Sequence, residues 1–287
     1  MSEIQNIQWF PGHMTRTKRQ IQASLKLVDA VAEIIDARIP VSSRNPDLDK
    51  LLGNKPRIIL MNKCDMADKA QTARWIEHYK KFKIPAIAVD CKTGKGLNAF
   101  IPETKKLLSD KIESWEQKGM IGRSIHVMIV GIPNVGKSSF INRMAKKDSA
   151  KVEDRPGVTR GNQWFTIGKG FELLDTPGVL WPKFDDMLVG ERLAFTGAVK
   201  DQILDIEQLA VRLLDILKTD YRNAIADRYK LGDIDFDCVS SYELLELIGK
   251  KRGMLIARGE IDTERAAKML LDEFRAAKLG SITLEKI

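Results

Sequence analysis

Cysteines and long apolar segments are scarce in this chain of 287 residues. Its three cysteines, Cys64, Cys91 and Cys238, are far apart and include no CxxC pair. This spacing argues against a disulfide framework or a zinc site and favours a reducing cytosol. No segment reaches the ~20 apolar residues of a membrane span, and the first residues lack the apolar core of a signal peptide. We therefore expect a cytoplasmic protein with no membrane partner.

The charge of the chain is positive and unevenly distributed. Lys and Arg number 47 against 39 Asp and Glu, which gives a net charge of +8. The first 199 residues hold 32 basic and 22 acidic side chains, a net charge of +10, whereas the rest of the chain holds 15 basic and 17 acidic, a net charge of −2. A basic face favours an anionic partner such as nucleic acid. A well-solvated surface around a nucleotide site is the alternative, and charge alone does not decide between the two.

The hydrophobic pattern of the chain changes near residue 200. Up to that point, short aliphatic runs alternate with helical patterns, which predicts an α/β fold with a mostly parallel sheet and helices on both faces. Beyond it only helical patterns occur, so we predict two domains, residues 1–199 and a small all-helical domain at 200–287. Strands are predicted at 30–36, 57–63, 84–90, 125–131, 162–168 and 171–178. Helices are predicted at 68–82, 97–118, 137–147, 205–218, 219–230, 240–249 and 262–277.

The clearest motif is GIPNVGKS, which runs from Gly131 to Ser138 between a predicted strand and a predicted helix. This pattern is typical of a phosphate-binding loop, because its glycines let successive N–H groups point at phosphate oxygens. Lys137 reaches the β- and γ-phosphates, where it serves catalysis, and Ser138 offers a hydroxyl to Mg²⁺. The residues that we assign to this phosphate site are Asn134, Val135, Gly136, Lys137, Ser138 and Ser139.

Two later segments have residue types that bind Mg²⁺ and contact the γ-phosphate. Asp175 of DTPG ends an apolar strand and can hold Mg²⁺ directly or through water, and Gly178 can offer its N–H to the γ-phosphate. Thr159 lies in the loop EDRPGVTRGNQ and could complete the Mg²⁺ shell only when the γ-phosphate is present, as in the switch of GTPases. An ordinary flexible loop is the alternative. The predicted Mg²⁺ ligands are Ser138, Thr159 and Asp175.

NKCD, residues 62–65, predicts which nucleotide base the protein recognises. This motif lies at the end of an apolar strand. The Asp65 carboxylate can accept both N1–H and the 2-amino group of guanine, whereas adenine offers no such pair of donors. Asn62 ties this loop to its surroundings, and the stem of Lys63 can lie along the purine face. DCKTGKG, residues 90–96, is a second candidate base loop. There the N–H of Cys91 or Lys92 would lie near the guanine oxygen.

The order of these motifs is unusual for a GTPase. In ordinary GTPases the phosphate loop comes first and NKxD last, but here residues 62–65 and 90–94 precede residues 131–138, Thr159 and Asp175. Circular permutation explains this order, because folds with close termini tolerate it. The site is preserved because loops at the carboxyl edge of a parallel sheet converge whatever their order in the chain.

In this order and in its motif strings the sequence resembles the circularly permuted GTPases of the YlqF group, which contains bacterial ribosome biogenesis GTPase A. The resemblance covers nearly the whole chain. It implies a role in late assembly of the large ribosomal subunit, with the C-terminal helical domain helping to bind ribosomal RNA. The second base loop departs from it, with DCK where many GTPases have SAK. The strings are WFPGHM (9–14), DARIPVSSRNP (36–46), NKCD (62–65), PNVGKSS (133–139), RPGVTRG (155–161) and DTPGVLWPK (175–183).

Further candidate roles come from the resemblance and from single positions. Val179 occupies the position at which other GTPases have a water-orienting glutamine, and an aliphatic side chain cannot polarise water. The resemblance therefore makes His13 the candidate catalytic residue. The alternative is that His13 has a structural role. Asn134 resembles the asparagine that ligates K⁺ in cation-dependent GTPases, with a turn residue as the alternative. KKRGMLIAR, residues 250–258, could face RNA phosphates or merely end an amphipathic helix.

The sequence therefore predicts a monomeric, Mg²⁺-dependent GTPase that binds the large ribosomal subunit and its rRNA in the GTP form and leaves after hydrolysis. One alternative is a GTP-dependent RNA-binding switch with negligible turnover, which ribosomal particles would not stimulate. Another alternative is a P-loop kinase, against which NKCD, DTPG and the order of the motifs argue.

Overall fold

The computed structural model describes residues 19–147, 152–153, 163–168, 170–176, 186–199 and 205–287. The chain forms two compact units. The first ends at Lys183 and also includes Glu285–Ile287, and the second is Phe184–Leu284. The predicted boundary lay after residue 199, and the roles assigned to the two predicted domains stay predictions. Within the described ranges, no helix has the length and apolar character that a membrane crossing needs.

A seven-stranded sheet forms the centre of the described first unit. Its strands are β1 (Ala30–Asp36), β2 (Arg57–Asn62), β3 (Ala86–Ala88), β4 (Ile125–Val130), β5 (Val152–Glu153), β6 (Trp164–Ile167) and β7 (Phe171–Asp175). Their order across the sheet is β3-β2-β1-β4-β7-β6-β5. Neighbours from β3 to β7 are parallel, whereas β6 and β5 are added antiparallel at one edge. The predicted mostly parallel sheet is confirmed, and β5 is a short strand that the sequence pattern did not predict.

The helices of the first unit mostly lie where the pattern predicts them. They are α1 (19–25), α2 (Pro46–Leu52), α3 (Lys69–Lys81), α4 (Phe100–Leu107), α5 (Ser109–Gln117) and α6 (Lys137–Lys147). The single helix predicted at 97–118 is split at Leu108, which ends α4 and precedes α5. Helix α2 was not predicted, because its seven residues are too few to show a helical period. It is started by Pro46 and by the side chain of Asn45, which accepts the N–H of Asp47.

Both faces of the sheet are covered, as the central strand β1 requires. All seven residues of β1 are buried, and because side chains alternate along a strand, this burial involves both faces. Val31 packs in a cluster with α1 and α2, and Ile35 packs in a cluster with Trp75 of α3. Helices α4 and α6 contribute Phe100 and Phe140, which are fully buried with their ring centroids 5.1 Å apart.

The described part of the second unit is mainly helical. Its helices are α7 (Met187–Phe195), α8 (Ile206–Asp220), α9 (Arg222–Tyr229), α10 (Ser241–Lys251) and α11 (Thr263–Arg275). Helices α8, α10 and α11 pack on one another through buried leucines such as Leu213, Leu245 and Leu270. Helix α10 begins with a capping box, in which Ser240 and Glu243 bond each other's backbone N–H. The predicted helical C-terminal region is confirmed, and α7 is a helix that the pattern did not predict.

Candidate nucleotide-binding site

Four parallel strands bring the predicted motifs to one edge of the sheet. Residues 62–65 begin at the last residue of β2, and residues 90–94 follow β3. The loop 131–138 follows β4, and Asp175 is the last residue of β7. Because parallel strands all end at the same edge, these segments lie close together although they are far apart in the chain.

The loop between β4 and α6 depends on two glycines. Gly131 has φ 155° and Gly136 has φ 103°, in a region that L side chains rarely adopt. A Cβ on Gly136 would lie 2.2 Å from Nδ2 of Asn62, and a Cβ on Gly131 would lie 2.5 Å from the carbonyl oxygen of Ile34. Both glycines are therefore required by backbone conformation and by close neighbours, as the phosphate-binding motif predicts.

Lys137, the first residue of α6, lies folded back against this loop. Its Nζ donates to the carbonyl oxygens of Gly131 and Ile132, both at 3.0 Å. Burial lowers the pKa of Lys137 to about 8, and the negative charge of Asp175 opposes this shift only in part. A lysine whose charged form is disfavoured gains much from a nearby anion. This arrangement of Lys137 fits the predicted binding of phosphate oxygens at the loop.

Asp175 and Ser138 are the described oxygen donors of the predicted Mg²⁺ site. Burial raises the pKa of the Asp175 carboxyl, while the charge of Lys137 acts in the opposite direction. Thr176 donates its hydroxyl to the carbonyl oxygen of Ile129 at 2.6 Å, which ties the end of β7 to β4. Ser138 is exposed on the first turn of α6. A hydroxyl and a carboxylate beside a phosphate loop are the hard ligands that Mg²⁺ takes together with substrate phosphates, so this donor set fits the ion.

Asn62 joins three loops of the site. Its Nδ2 donates to the carbonyl oxygen of Val135 at 2.6 Å, and its Oδ1 accepts the N–H of Cys91 at 2.9 Å. The residue is only 4% exposed, so both hydrogen bonds are shielded from water. The sequence predicted that Asn62 ties its loop to the surroundings, and the structure identifies the phosphate loop and the second base loop as its partners.

Lys63 combines a strained backbone with a charged partner. Its φ of 60° lies in the left-handed region, which is uncommon for residues other than glycine. Its Nζ lies 2.9 Å from Oδ2 of Asp36, and the same carboxylate accepts hydrogen bonds from the guanidinium of Arg38. Burial alone would raise the pKa of Asp36, but Arg38 and Lys63 outweigh it and hold that pKa well below its usual range. An ionised, buried carboxylate therefore holds the end of the Lys63 side chain.

The second base loop uses its N–H groups within the protein. The N–H of Cys91 donates to Asn62, and the N–H of Lys92 donates to Oδ1 of Asp90 at 2.8 Å. A guanine oxygen would have to share or displace one of these hydrogen bonds. The contact of Cys91 or Lys92 with guanine therefore stays a prediction.

Arg143 belongs to the site, although the sequence pattern did not reveal it. From α6 it donates to the carbonyl oxygen of Lys92 at 2.9 Å and also to that of Thr93. Gly94 of the same loop has φ 93°, and a Cβ there would lie 3.0 Å from Nε of Arg143. No motif includes this arginine, and only the fold brings its helix beside the loop.

The remaining predicted residues fall into two groups. Asp65 and Asn134 are exposed in turns that follow β2 and β4, and Ser139 is exposed on the first turn of α6, so a ligand can reach all three. The predicted residues that lie outside the described ranges are His13, Thr159, Gly178 and Val179.

Comparisons with known proteins agree with this geometry. The family described as 50S ribosome-binding GTPase matches residues 126–237. Ribosome biogenesis GTPase A of Bacillus licheniformis is 49% identical to this chain over 280 residues, which cover 98% of each protein. This chain belongs to the ribosome biogenesis GTPase A family. Membership of this family establishes the protein as a GTPase.

Two solved structures are similar over nearly the whole chain. A GDP-bound structure of TM YlqF is 28% identical, covers 93% of this chain and 99% of that one, and gives a TM-score of 0.66. A GNP-bound YlqF from T. maritima is 29% identical, covers 95% of this chain and 100% of that one, and also gives a TM-score of 0.66. The predicted fold is therefore that of the ribosome biogenesis GTPase A family. The family match at 126–237 includes the phosphate loop and Asp175 but not residues 62–65, which come earlier in this chain.

Proposed function

We propose that this GTPase acts in assembly of the large ribosomal subunit, binding the subunit precursor in its GTP form and leaving after hydrolysis. The observation that carries its dependence on GTP is the pair of hydrogen bonds in which Asn62 donates to the carbonyl oxygen of Val135 and accepts the N–H of Cys91, which joins the proposed base loops to the phosphate loop. Because these loops are joined, a single site can recognise the guanine base and the phosphates of one nucleotide together. We propose that the protein acts as a monomer.

A ribosomal partner is supported by the relatives and by the charge of the chain. The relative from B. licheniformis is named for ribosome biogenesis, and the matching family is described as binding the 50S ribosome. Residues 1–199 carry 32 basic and 22 acidic side chains, an excess of ten positive charges. Lys and Arg side chains that neutralise RNA phosphates release counterions, so such binding weakens as salt rises. The proposed RNA contacts include the helical unit and its segment 250–258.

The individual roles in this proposal follow from residue chemistry, from the resemblance to known GTPases and, for the described residues, from their geometry. Asp65 accepts the two guanine donors, Lys63 lies along the base, and Asn62 holds the loops together. Thr159 senses the γ-phosphate, His13 orients the attacking water when a particle is bound, and Asn134 is a candidate K⁺ ligand. The proposed Mg²⁺ ligands are Ser138, Thr159 and Asp175, and the proposed phosphate contacts are Val135, Gly136, Lys137, Ser139 and Gly178.

Co-sedimentation with purified large ribosomal subunits tests the partner and its dependence on nucleotide. We expect the protein to pellet with the particles in the presence of a non-hydrolysable GTP analogue, and much less with GDP or with the matching ATP analogue. Raising the salt concentration should reduce the pelleted fraction steeply. Binding that is equal with all three nucleotides and unaffected by salt would contradict the proposal.

A second candidate function is a GTP-dependent RNA-binding switch with negligible turnover. Val179 favours it, because this position carries no side chain able to orient water. The two functions predict the same nucleotide-dependent binding. They differ in hydrolysis, which large subunits should accelerate only if the protein turns over GTP on the particle.

A further inference from the structure

The residues Glu285–Ile287 belong to the nucleotide-binding unit, although the helical unit precedes them in the chain. The Glu285 carboxylate accepts the N–H groups of Val41 and Ser42, the latter at 3.1 Å, and also the hydroxyl of Ser42. Glu285 is 5% exposed, and 243 positions separate it from Ser42. A buried carboxylate that accepts several hydrogen bonds is fixed in place and also fixes its donors.

Helix α3 holds the backbone of Glu285 and of Ile287. Nε1 of Trp75 donates to the carbonyl oxygen of Glu285 at 2.8 Å. The N–H of Ile287 donates to Oε1 of Gln71 at 3.3 Å, and Arg74 donates to the carbonyl oxygen of Ile287, also at 3.3 Å. Trp75 packs against β2, the strand that leads into the proposed guanine loop. The tail is therefore bonded along α3 through its backbone as well as through Glu285.

The turn at residues 39–43 connects Glu285 to Asp36. The hydroxyl of Ser43 accepts the N–H of Asp36 at 3.0 Å and donates to the carbonyl oxygen of Ile39 at 2.6 Å. The N–H of Ser43 donates to the same carbonyl at 2.9 Å. Ser42, which Glu285 holds, is the neighbour of Ser43. A change in the conformation of Ser42 would therefore shift the turn that holds the end of β1.

Asp36 in turn holds Lys63, whose backbone is strained. The Lys63 ammonium lies 2.9 Å from the Asp36 carboxylate, and the N–H of Ala37 donates to the carbonyl oxygen of Asn62 at 2.8 Å. A left-handed conformation in a residue other than glycine persists only where its surroundings hold it. The ion pair to the Lys63 side chain and the hydrogen bond to the preceding residue, Asn62, thus make the position of Lys63 depend on Asp36 and Ala37 at the end of β1.

We propose that Glu285 is a positioning residue for the guanine site, acting through Ser42, Ser43 and Asp36 on Lys63. The inference rests on the proposed assignment of residues 62–65 to guanine. Loss of the Glu285 carboxylate loosens the turn, lets Asp36 and Lys63 move, and speeds nucleotide release while the phosphate loop stays intact. A truncation near residue 200 therefore weakens guanine nucleotide binding, because it removes Glu285 as well as the helical unit.

Equilibrium titration of the full chain with fluorescent GDP, together with the dissociation rate of this probe, tests the positioning role. The single variants are Glu285→Gln, Lys63→Met and Arg143→Ala, and the double variants combine Glu285→Gln with each of the other two. Glu116→Gln, at an exposed position on α5, is the matched control for removal of one carboxylate. Thermal unfolding of each variant ensures that every titration is made on folded protein.

We expect Glu285→Gln to weaken GDP binding about fivefold, chiefly through faster dissociation, and Glu116→Gln to leave it unchanged. In the Lys63→Met protein, the further substitution Glu285→Gln should cause no additional loss of GDP affinity, because the effect of Glu285 passes through Lys63. Added to Arg143→Ala, which holds the base loop through other atoms, the two losses should multiply. A role in stability alone would instead lower the unfolding temperature and leave GDP affinity unchanged.

Two results would overturn the inference. One is a Glu285→Gln protein whose GDP affinity and dissociation rate equal those of the parent. The other is a double variant of Glu285→Gln and Lys63→Met whose loss of GDP affinity equals the product of the two single losses. If Glu285→Gln does not fold, Ser42→Ala replaces it with the same expected pattern, because it removes only one hydroxyl from the connection. A parent chain that fails to bind GDP would overturn the proposed function itself, which is a distinct outcome.

Discussion

The side chain of Asn62 donates to the carbonyl oxygen of Val135 at 2.6 Å, joining two motifs that are 73 positions apart. In this chain the residues proposed to bind the base come before those proposed to bind phosphates. The hydrogen bond depends on where β2 and β4 end and not on which of them is synthesised first. The altered order of motifs is therefore compatible with a single site that recognises base and phosphates together.

Asn62→Ala should lower the affinity for GDP by about 10- to 100-fold. The substitution leaves the buried carbonyl of Val135 and the N–H of Cys91 without their partner, at about 1–3 kcal/mol for each unsatisfied group. The free protein bears part of this cost, and we expect about 1.4–2.8 kcal/mol of it to weaken nucleotide binding. Asn98→Ala, at an exposed position, is the control and should bind like the parent. Isothermal titration with GDP measures both. An affinity of the Asn62 variant within about twofold of the parent would show that the base and phosphate loops are not coupled through this side chain.

Gly136→Ala should abolish nucleotide binding. A Cβ at this position would lie 2.2 Å from Nδ2 of Asn62, and φ is 103°, so the loop must change shape. Gly119→Ala is the matched control, since Gly119 also has positive φ (76°) but no atom within 4 Å of the added carbon. Both variants should lose about 1–2 kcal/mol of stability from backbone strain, but only Gly136→Ala should lose GDP binding. Equal GDP affinities in the two variants would contradict the assignment of the phosphate loop.

Nucleotide binding should take up a proton at alkaline pH. The pKa of Lys137 is about 8 in the free protein, and phosphate oxygens close to its Nζ raise that pKa. Well below pH 8 the lysine is charged in both states, so binding takes up no proton. Between about pH 8 and the raised pKa the free lysine is neutral and the bound one is charged, so affinity falls as pH rises.

Calorimetry with GDP at about pH 8.5, in two buffers of different ionisation enthalpy, measures this proton uptake directly. Lys137→Arg is the control, because an arginine stays protonated throughout this range and should take up no proton. Binding enthalpies of the parent that do not depend on the buffer would show that Lys137 is already charged before the nucleotide arrives.

Asp65→Asn should weaken the binding of GDP and GTP and reduce discrimination against ATP. The Asp65 carboxylate can accept both guanine donors, whereas an amide has one acceptor and adds a donor of its own. Competition of GTP and ATP against fluorescent GDP measures both effects. Asp68→Asn is unsuitable as a control because Asp68 caps α3, so the exposed Asp110 on α5 serves instead. Equal affinities of the parent for GTP and ATP would refute the guanine assignment.

Local patterns predicted those parts of the fold that local forces determine. Strand β1 was predicted with the bounds that the structure shows, Ala30–Asp36, because a strand buried on both faces reads as one apolar run. The phosphate loop was predicted because glycine at positions 131 and 136 is part of a motif that can be recognised from residue types alone. Helices α2 and α7 were missed because seven and nine residues give too few turns for a period to stand out.

Long-range partners in the site could not be predicted from the sequence. Arg143 holds the loop at residues 90–94 from a helix that begins more than forty positions later, and Glu285 bonds a turn 243 positions away. Neither residue lies in a recognisable motif. Such contacts depend on which elements the completed fold places side by side. The hydrophobic pattern of the sequence does not indicate that arrangement.

His13→Ala should leave GTP binding and particle binding nearly unchanged while hydrolysis on the particle collapses. Val179 cannot orient water, and a neutral imidazole can accept a hydrogen bond from it. His13→Gln, which keeps a hydrogen-bonding side chain, should retain part of the rate. The fluorescent-GTP affinity of each variant serves as the control for an intact site. A His13→Ala rate within about twofold of the parent would leave the water-orienting group unassigned.

Single-turnover hydrolysis of GTP, measured with and without saturating large ribosomal subunits, tests the central claim most directly. The account predicts that the subunits raise the rate constant by at least about tenfold, as partners that complete other GTPase sites raise theirs by roughly 10³–10⁵. Small ribosomal subunits at the same concentration should not have this effect. Identical rate constants with and without large subunits would contradict a GTPase activated on the particle and leave a GTP-dependent binding switch in its place.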